Sequence, residues 1–195
     1  MAHLGLASNF QDEIHNIEPI WDLFKDTVDL WTVVDSGSTD GTQEKLREVV
    51  GDRLNLIESD MIKVNGYGYA RTKLVELSGG MDWVLILDGD ERMSRDGVLM
   101  AKALADFNSH TSHDLIWLPR CHFQTWDMTR VEYGNVETLG SDWREAIRIN
   151  PDWQARLVRR DMMEGKSRIH YERRVHEMIR GHRSEIRDLT NPIIR

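Results

Sequence analysis

The chain contains one apolar run that ends in acid: Trp83-Val84-Leu85-Ile86-Leu87-Asp88-Gly89-Asp90-Glu91. The run is short, continuous and partly β-branched, the pattern of a strand buried on both faces. Unpaired carboxylates cannot stay inside such a strand, so Asp88 and Asp90 are expected at its open end. In an open α/β sheet, ligands bind outside the carboxyl ends of the strands. Two carboxylates there suit a hard divalent cation, and the cation in turn suits a diphosphate. An acidic pair after a strand also arises by chance or as a helix cap, so its meaning depends on its surroundings.

Those surroundings alternate strand and helix. Residues 3–9 form a weak first strand, and apolar residues at 14, 17, 20, 21, 24 and 28 mark a helical stripe up to Leu30, started or interrupted by Pro19. Leu30–Val34 reads as a strong strand that breaks at the turn-forming run Asp35–Thr42. A helix over 43–50, a strand over 54–58 and a helix from Ala70 to Leu77 follow, the last closed by Gly79-Gly80. Ser94 and Asp96 can cap a helix running to Phe107. This order predicts an α/β fold with a mostly parallel sheet and helices on both faces. Further strands are expected over 113–119, 153–159 and 174–179, with 121–143 irregular.

At 195 residues the chain suits one domain, and its single cysteine, Cys121, forms no internal disulfide. No run approaches the roughly 18 apolar residues of a membrane span. Met1–Leu6 lacks the charged and apolar regions of a signal peptide, so a cytoplasmic location is expected. The net charge of −8 is unevenly spread. Residues 1–143 hold 12 Lys and Arg against 25 Asp and Glu, whereas residues 144–187 hold 12 against 7. An anionic partner for the C-terminal part would explain this, as would solvated or paired arginines.

In a parallel sheet the ends of strands 30–34 and 83–87 share one edge, so Asp35 and Asp88 can line one crevice. Asp35 suits a nucleobase or sugar, and Asp88 and Asp90 suit a ribose and a metal. The plainer role for Asp35–Thr42 is a tight turn with a helix cap.

Five segments together resemble family-2 glycosyltransferases. Val33-Val34-Asp35-Ser36-Gly37-Ser38-Thr39-Asp40-Gly41-Thr42 is similar to that family's nucleotide-binding strand-loop, and Leu87-Asp88-Gly89-Asp90-Glu91 to its Asp-x-Asp metal motif. Tyr69-Ala70-Arg71-Thr72-Lys73 resembles its Ala-Arg-Asn segment, with Thr72 in place of Asn. Gln154-Ala155-Arg156-Leu157-Val158-Arg159-Arg160 and Val175-His176-Glu177 resemble two later motifs. The resemblance spans residues 3–180 in order.

It implies a GT-A fold over 1–195 as a single domain, with a nucleotide-sugar half over about 1–108 and an acceptor half over about 109–195. It also implies a metal-dependent sugar transfer from a nucleotide-diphospho-sugar, with Mn²⁺ or Mg²⁺. Asp90 and His176 would be metal ligands, with Asp88 on the ribose or metal. Asn9, Asp35 and Ser38 would meet the nucleoside, and Arg71 with Arg156 or Arg159 the diphosphate. A divalent metal and basic residues would stabilise the leaving group. Glu177 is the first candidate for the base, ahead of Glu91, Asp142 and Glu145, while Asp88 would serve the reaction from the donor side. His170 competes with His176 for the metal. Trp126 and Trp143 are candidate sugar platforms. The acceptor is open between a glycan, a lipid-linked sugar, a protein side chain and a modified nucleobase. The other readings are a degenerate nucleotide- or glycan-binding protein and a sugar nucleotidyltransferase. The residues after the first strand, Ala7–Gln11, lack the glycine-rich basic loop the latter needs.

Overall fold

The structure is a computed structural model that describes residues 1–121, 152–160, 169–174, 178–182, 184–187 and 193–194. Strands β1 (Leu4–Phe10), β2 (Leu30–Asp35), β3 (Leu54–Glu58) and β4 (Trp83–Ile86) form the parallel part of the main sheet, in the order β3-β2-β1-β4. Beyond β4 lie β7 (Asp152–Arg159), antiparallel to it, and β6 (Leu115–Cys121). β5 (Arg92–Met93), β10 (Glu185–Arg187) and β11 (Ile193–Ile194) extend that side. β8 (His170–Glu172) and β9 (Met178–Arg180) form a separate antiparallel pair.

Alternation along the strands decides which helix covers which face. Leu4, Leu6, Trp31, Val33, Trp83 and Leu85 point to the face covered by α1 (Ile17–Phe24), α2 (Thr42–Val50) and α5 (Arg95–Asn108). Ala7, Val34, Val84 and Ile86 point to the opposite face, covered by Leu74 and Val75 of α4 (Tyr67–Leu77) and by Tyr171. The short α3 (Met61–Asn65) precedes α4. The expected α/β architecture with helices on both faces is therefore the one observed. Ser94 caps α5 as its sequence suggests, its hydroxyl accepting from Gly97 N at 3.0 Å.

Three expectations change. The stripe from Ile14 to Leu30 is a 3-10 turn (Ile14–Asn16) followed by a helix that stops at Phe24, with Pro19 tolerated in its first turn. The helix expected from Ala70 begins at Tyr67, where Gly68 admits a close neighbour. The strand expected over 174–179 does not start at Arg174. Arg173 has φ 74° and turns the chain after β8. Trp126 and Trp143 lie outside the described residues.

An aromatic stack runs through the larger core. The Arg53 guanidinium sits 4.5 Å over Trp21, Trp21 stacks on Trp31 at 5.7 Å, and Phe10 meets Trp31 edge-on at 5.7 Å. Each aromatic pair adds about 0.5–1.5 kcal/mol beyond area burial. The buried Trp31 indole donates to Ser8 Oγ at 3.0 Å, so its polar atom is satisfied.

On the other face, β8 is fastened to α4 by backbone contact. Gly68 N donates to Arg173 O at 3.1 Å, and the Thr72 hydroxyl accepts from Tyr171 N at 2.8 Å while donating to Gly68 O. The Tyr171 hydroxyl reaches Ala155 O at 2.6 Å and ties β8 to β7. A Cβ at Gly68 would stand 2.6 Å from Arg173 O and 2.7 Å from the Glu172 carbonyl carbon, both backbone. Gly68→Ala is expected to cost about 1–3 kcal/mol through overpacking. Thermal melts would show it as a fall of roughly 2–4 °C per kcal/mol. Gly79→Ala, with nothing within 4 Å of the added Cβ, is the control and should melt like the parent.

Candidate functional site

The strand order reverses between the parallel neighbours β1 and β4. β1 continues to β2 and β3 on one side, and the chain then crosses to β4 on the other. The crevice outside the carboxyl ends of β1 and β4 is thus the expected ligand position. Asn9 and Phe10 border it from β1, and Asp88, Gly89 and Asp90 from β4.

Asp88 is the most constrained carboxylate there. Arg71 Nη2 lies 2.5 Å and Arg156 Nη1 3.5 Å from its Oδ2, and Asn9 Nδ2 donates to its Oδ1 at 3.5 Å. Burial alone would raise its pKa, but the Arg71 and Arg156 guanidiniums outweigh that and hold it below the ordinary carboxylate range. Asp88 is consequently held as an anion by its two arginine neighbours. Arg156 has no exposed surface, and its Nη2 lies 2.5 Å from Oε1 of the equally buried Glu91. Arg156 therefore meets carboxylates, not a diphosphate.

Arg159 is at the wrong end. The antiparallel register pairs it with Trp83, the first residue of β4, and its Nη1 donates to Thr111 O at 3.0 Å. The extended length of β4 separates it from Asp88, so it cannot share a ligand with that residue.

Asp90, by contrast, is exposed. Its turn is held from below. Arg92 Nη1 donates to Gly89 O at 2.9 Å and to Glu91 O at 2.7 Å, and Arg92 Nη2 bonds Asn16 Oδ1. A Cβ at Gly89 would meet Phe10 at 3.0 Å and Glu13 Cγ at 2.9 Å, so the middle position of the acidic pair has room only for hydrogen. Glu13 is half-buried beneath this turn. Its pKa is raised by burial and by the like charges of Asp90 and Asp40, against a hydrogen bond from Asn16.

Asp35 takes a different part from the one expected. It is completely buried, and its Oδ1 accepts from Gly37 N at 3.1 Å, Ser38 N at 3.0 Å and Gln43 Nε2 at 2.7 Å. The Ser38 hydroxyl donates to Oδ2. Asp35 thus folds its own loop and offers no surface to a base. Ser38 is equally committed, its Oγ also accepting from Asp12 N at 2.8 Å. Glu13 N to Thr42 Oγ1 at 2.9 Å and Ile14 N to Asp40 Oδ2 at 3.1 Å complete the lacing of the two loops.

Polar atoms left over on the α4 side of the edge point to a ligand. Asn9 Oδ1 and Ser36 Oγ are buried without a hydrogen-bond partner, an arrangement that costs free energy unless something else satisfies them. By alternation they share this face with Asp88, and Arg71 reaches it from α4. Asn9 thus stays in the candidate site, and Ser36, not singled out from sequence, joins it. The signal for Ser36 was its two-residue offset from Val34.

His176 and Glu177 lie outside the described residues, and so do Asp142 and Glu145. His170 pairs with Glu172 at 3.2 Å and lines a cavity of about 570 Å³ with Tyr69 and Lys73, on the side of α4 away from Arg71. Among the described residues no three His, Cys, Asp or Glu side chains converge on a metal position. Asp90 fits a hard cation as a single carboxylate, in a site that phosphate oxygens or further side chains would complete.

The buried Asp35 carboxylate predicts a pH effect. Burial would raise its pKa, but the hydrogen bonds from Ser38, Gln43 and Gly37 hold it below the ordinary aspartate range. A folded-state pKa below the unfolded one stabilises the fold above the unfolded value. That contribution is lost as pH falls through the depressed folded value. Asp35→Asn should lose about 1–3 kcal/mol at neutral pH. Melts between neutral pH and pH 3 should also show a shallower acid decline than the parent. An unchanged acid limb would contradict the assignment.

Residues 29–112 match the model of glycosyl transferase family 2. No curated protein matches the chain. Among solved structures, glucosyl-3-phosphoglycerate synthase from Mycobacterium tuberculosis, in complex with Mn²⁺, UDP and glucosyl-3-phosphoglycerate, is similar at 19% identity and a TM-score of 0.52. That match covers 83% of this chain and 58% of the synthase chain. S. aureus TarS 1–349 is similar at 15% identity and a TM-score of 0.51, covering 83% of this chain and 48% of that one. The match therefore spans about half the length of these structures, and the likeness to them is one of fold. Residues 29–112 thus resemble glycosyl transferase family 2, and the sheet that carries the acidic pair at its strand-order reversal has the GT-A fold.

Proposed function

We propose that the chain transfers a sugar from a nucleotide-diphospho-sugar donor to an acceptor with the help of a divalent cation. The carrying observation is the Asp88-Gly89-Asp90 turn. It sits where the strand order reverses, with one aspartate neutralised below the surface and the other held out above it. The synthase complexes with Mn²⁺ and UDP-glucose support the reading.

Asn9 and Ser36 bind and orient the nucleoside on the α4 side of the edge, and Arg71 meets the diphosphate. Asp90 holds the cation, with His176 as a second ligand from the C-terminal half. When bound, the cation stabilises the charge that develops on the departing diphosphate. Asp88 keeps Arg71 in place. Glu177 takes the acceptor proton. The first 108 residues form the donor half and the rest the acceptor half, where the acceptor class is a glycan, lipid-linked sugar, protein side chain or modified nucleobase. The site acts in the cytoplasm. Among the described residues no helix is long and apolar enough to cross a membrane.

Calorimetric titration with UDP, GDP and dTDP, with and without Mn²⁺, tests this reading. At least one nucleotide should bind about ten-fold or more tightly with Mn²⁺, since removing one charged ligand is worth on the order of 1.5–3 kcal/mol. Asp90→Ala should abolish the enhancement and leave the melting temperature near the parent's, because Asp90 is exposed. Metal-independent binding by the parent, or an intact enhancement in Asp90→Ala, would sink the proposal.

A further inference from the structure

Glu91 and Arg156 form a buried ion pair that is joined twice to the acidic turn. Glu91 is 1% exposed and Arg156 0%. Glu91 Oε1 holds Arg156 Nη2 at 2.5 Å, while Oε2 accepts from the main-chain N of Asp88 at 3.0 Å. Arg156 Nη1 lies 3.5 Å from the Asp88 carboxylate. The three residues close a ring around the first position of the Asp-Gly-Asp turn. β7 makes this possible, because its antiparallel register sets Leu157 against Leu85 and so brings Arg156 level with the end of β4.

This arrangement is a poor way to stabilise a core. Two buried charges lose their hydration, and replacing such a pair with apolar groups of similar size is often neutral or stabilising. The cost here is compounded, since Nε of Arg156 has no hydrogen-bond partner. An apolar pair would fill the space but could not hold the Asp88 carboxylate or its main-chain N–H in one direction.

We propose that Glu91 and Arg156 are positioning residues. Together they fix the Asp88–Asp90 turn so that the Asp90 carboxylate points out of the edge toward the cation, and neither touches the donor. The proposal rests on the donor-site reading above.

The test is the double variant Glu91→Gln/Arg156→Met, with Mn²⁺ and UDP as probes. Its melting temperature should stay within a few degrees of the parent's. The tightening of UDP binding by Mn²⁺ should fall about ten-fold, the lower end of the range for removing residues that support metal ligands, and so be largely lost. UDP affinity without metal should hardly move. A double variant that keeps the parent's Mn²⁺ enhancement overturns the proposal and leaves the donor reading standing. A parent with no enhancement for UDP, GDP or dTDP overturns both, and a parent enhanced only for GDP or dTDP is compared with the variant using that nucleotide. If the double variant does not fold, Arg156→Lys replaces it. Lysine keeps the charge but loses the fork that spans Glu91 and Asp88, so its enhancement should also fall. Enhancement equal to the parent's would overturn the proposal.

Discussion

The carboxylate of Asp88 lies between two guanidinium groups, one from α4 and one from β7, and the donor edge is organised around that contact. An aspartate at the end of a buried strand needs partners, because desolvating a lone carboxylate costs several kcal/mol. Arg71 and Arg156 supply them from two different elements. The same contact ties together three elements far apart in sequence. With Asp88 satisfied inside the protein, Asp90 is the member of the pair turned toward solvent. The two aspartates have the same chemistry and opposite surroundings.

The packing that presents Asp90 begins well away from it. Arg53, Trp21, Trp31 and Phe10 form one aromatic column, and the Phe10 ring stands against Gly89. Only glycine fits there, so the column sets the height of the turn as Arg92 sets its path. On the other face, Gly68 and Thr72 let β8 dock on α4 by backbone contact, which holds the helix that carries Arg71. Both supports act through contacts that leave little slack, the property a metal or phosphate position requires.

Much of this was legible in the sequence. The run 83–87 predicts its strand because its pattern is local, and the acidic pair follows from the cost of burying charge. The Asp35–Thr42 turn and the Ser94 cap are legible for the same reason. What was not legible depends on register. Arg156 and Arg159 are three residues apart in one segment, and either looks suited to a diphosphate. The antiparallel pairing of β7 with β4 sends one to Asp88 and the other to the opposite end of the sheet. Asp35 looks like a ligand because its loop is rich in donors, but those donors turn inward and saturate it. Glu91 looks like part of an acidic cluster until its partner 65 residues away is known.

The central claim is that Asp88 is neutralised by arginine and Asp90 alone of the pair faces the cation. Anomalous diffraction at the manganese edge from crystals grown with Mn²⁺ and UDP tests it most directly. A manganese peak bonded to the Asp90 carboxylate is expected, with Asp88 still paired to Arg71 and Arg156. A peak bonded to Asp88, with Arg71 displaced from it, would contradict the account.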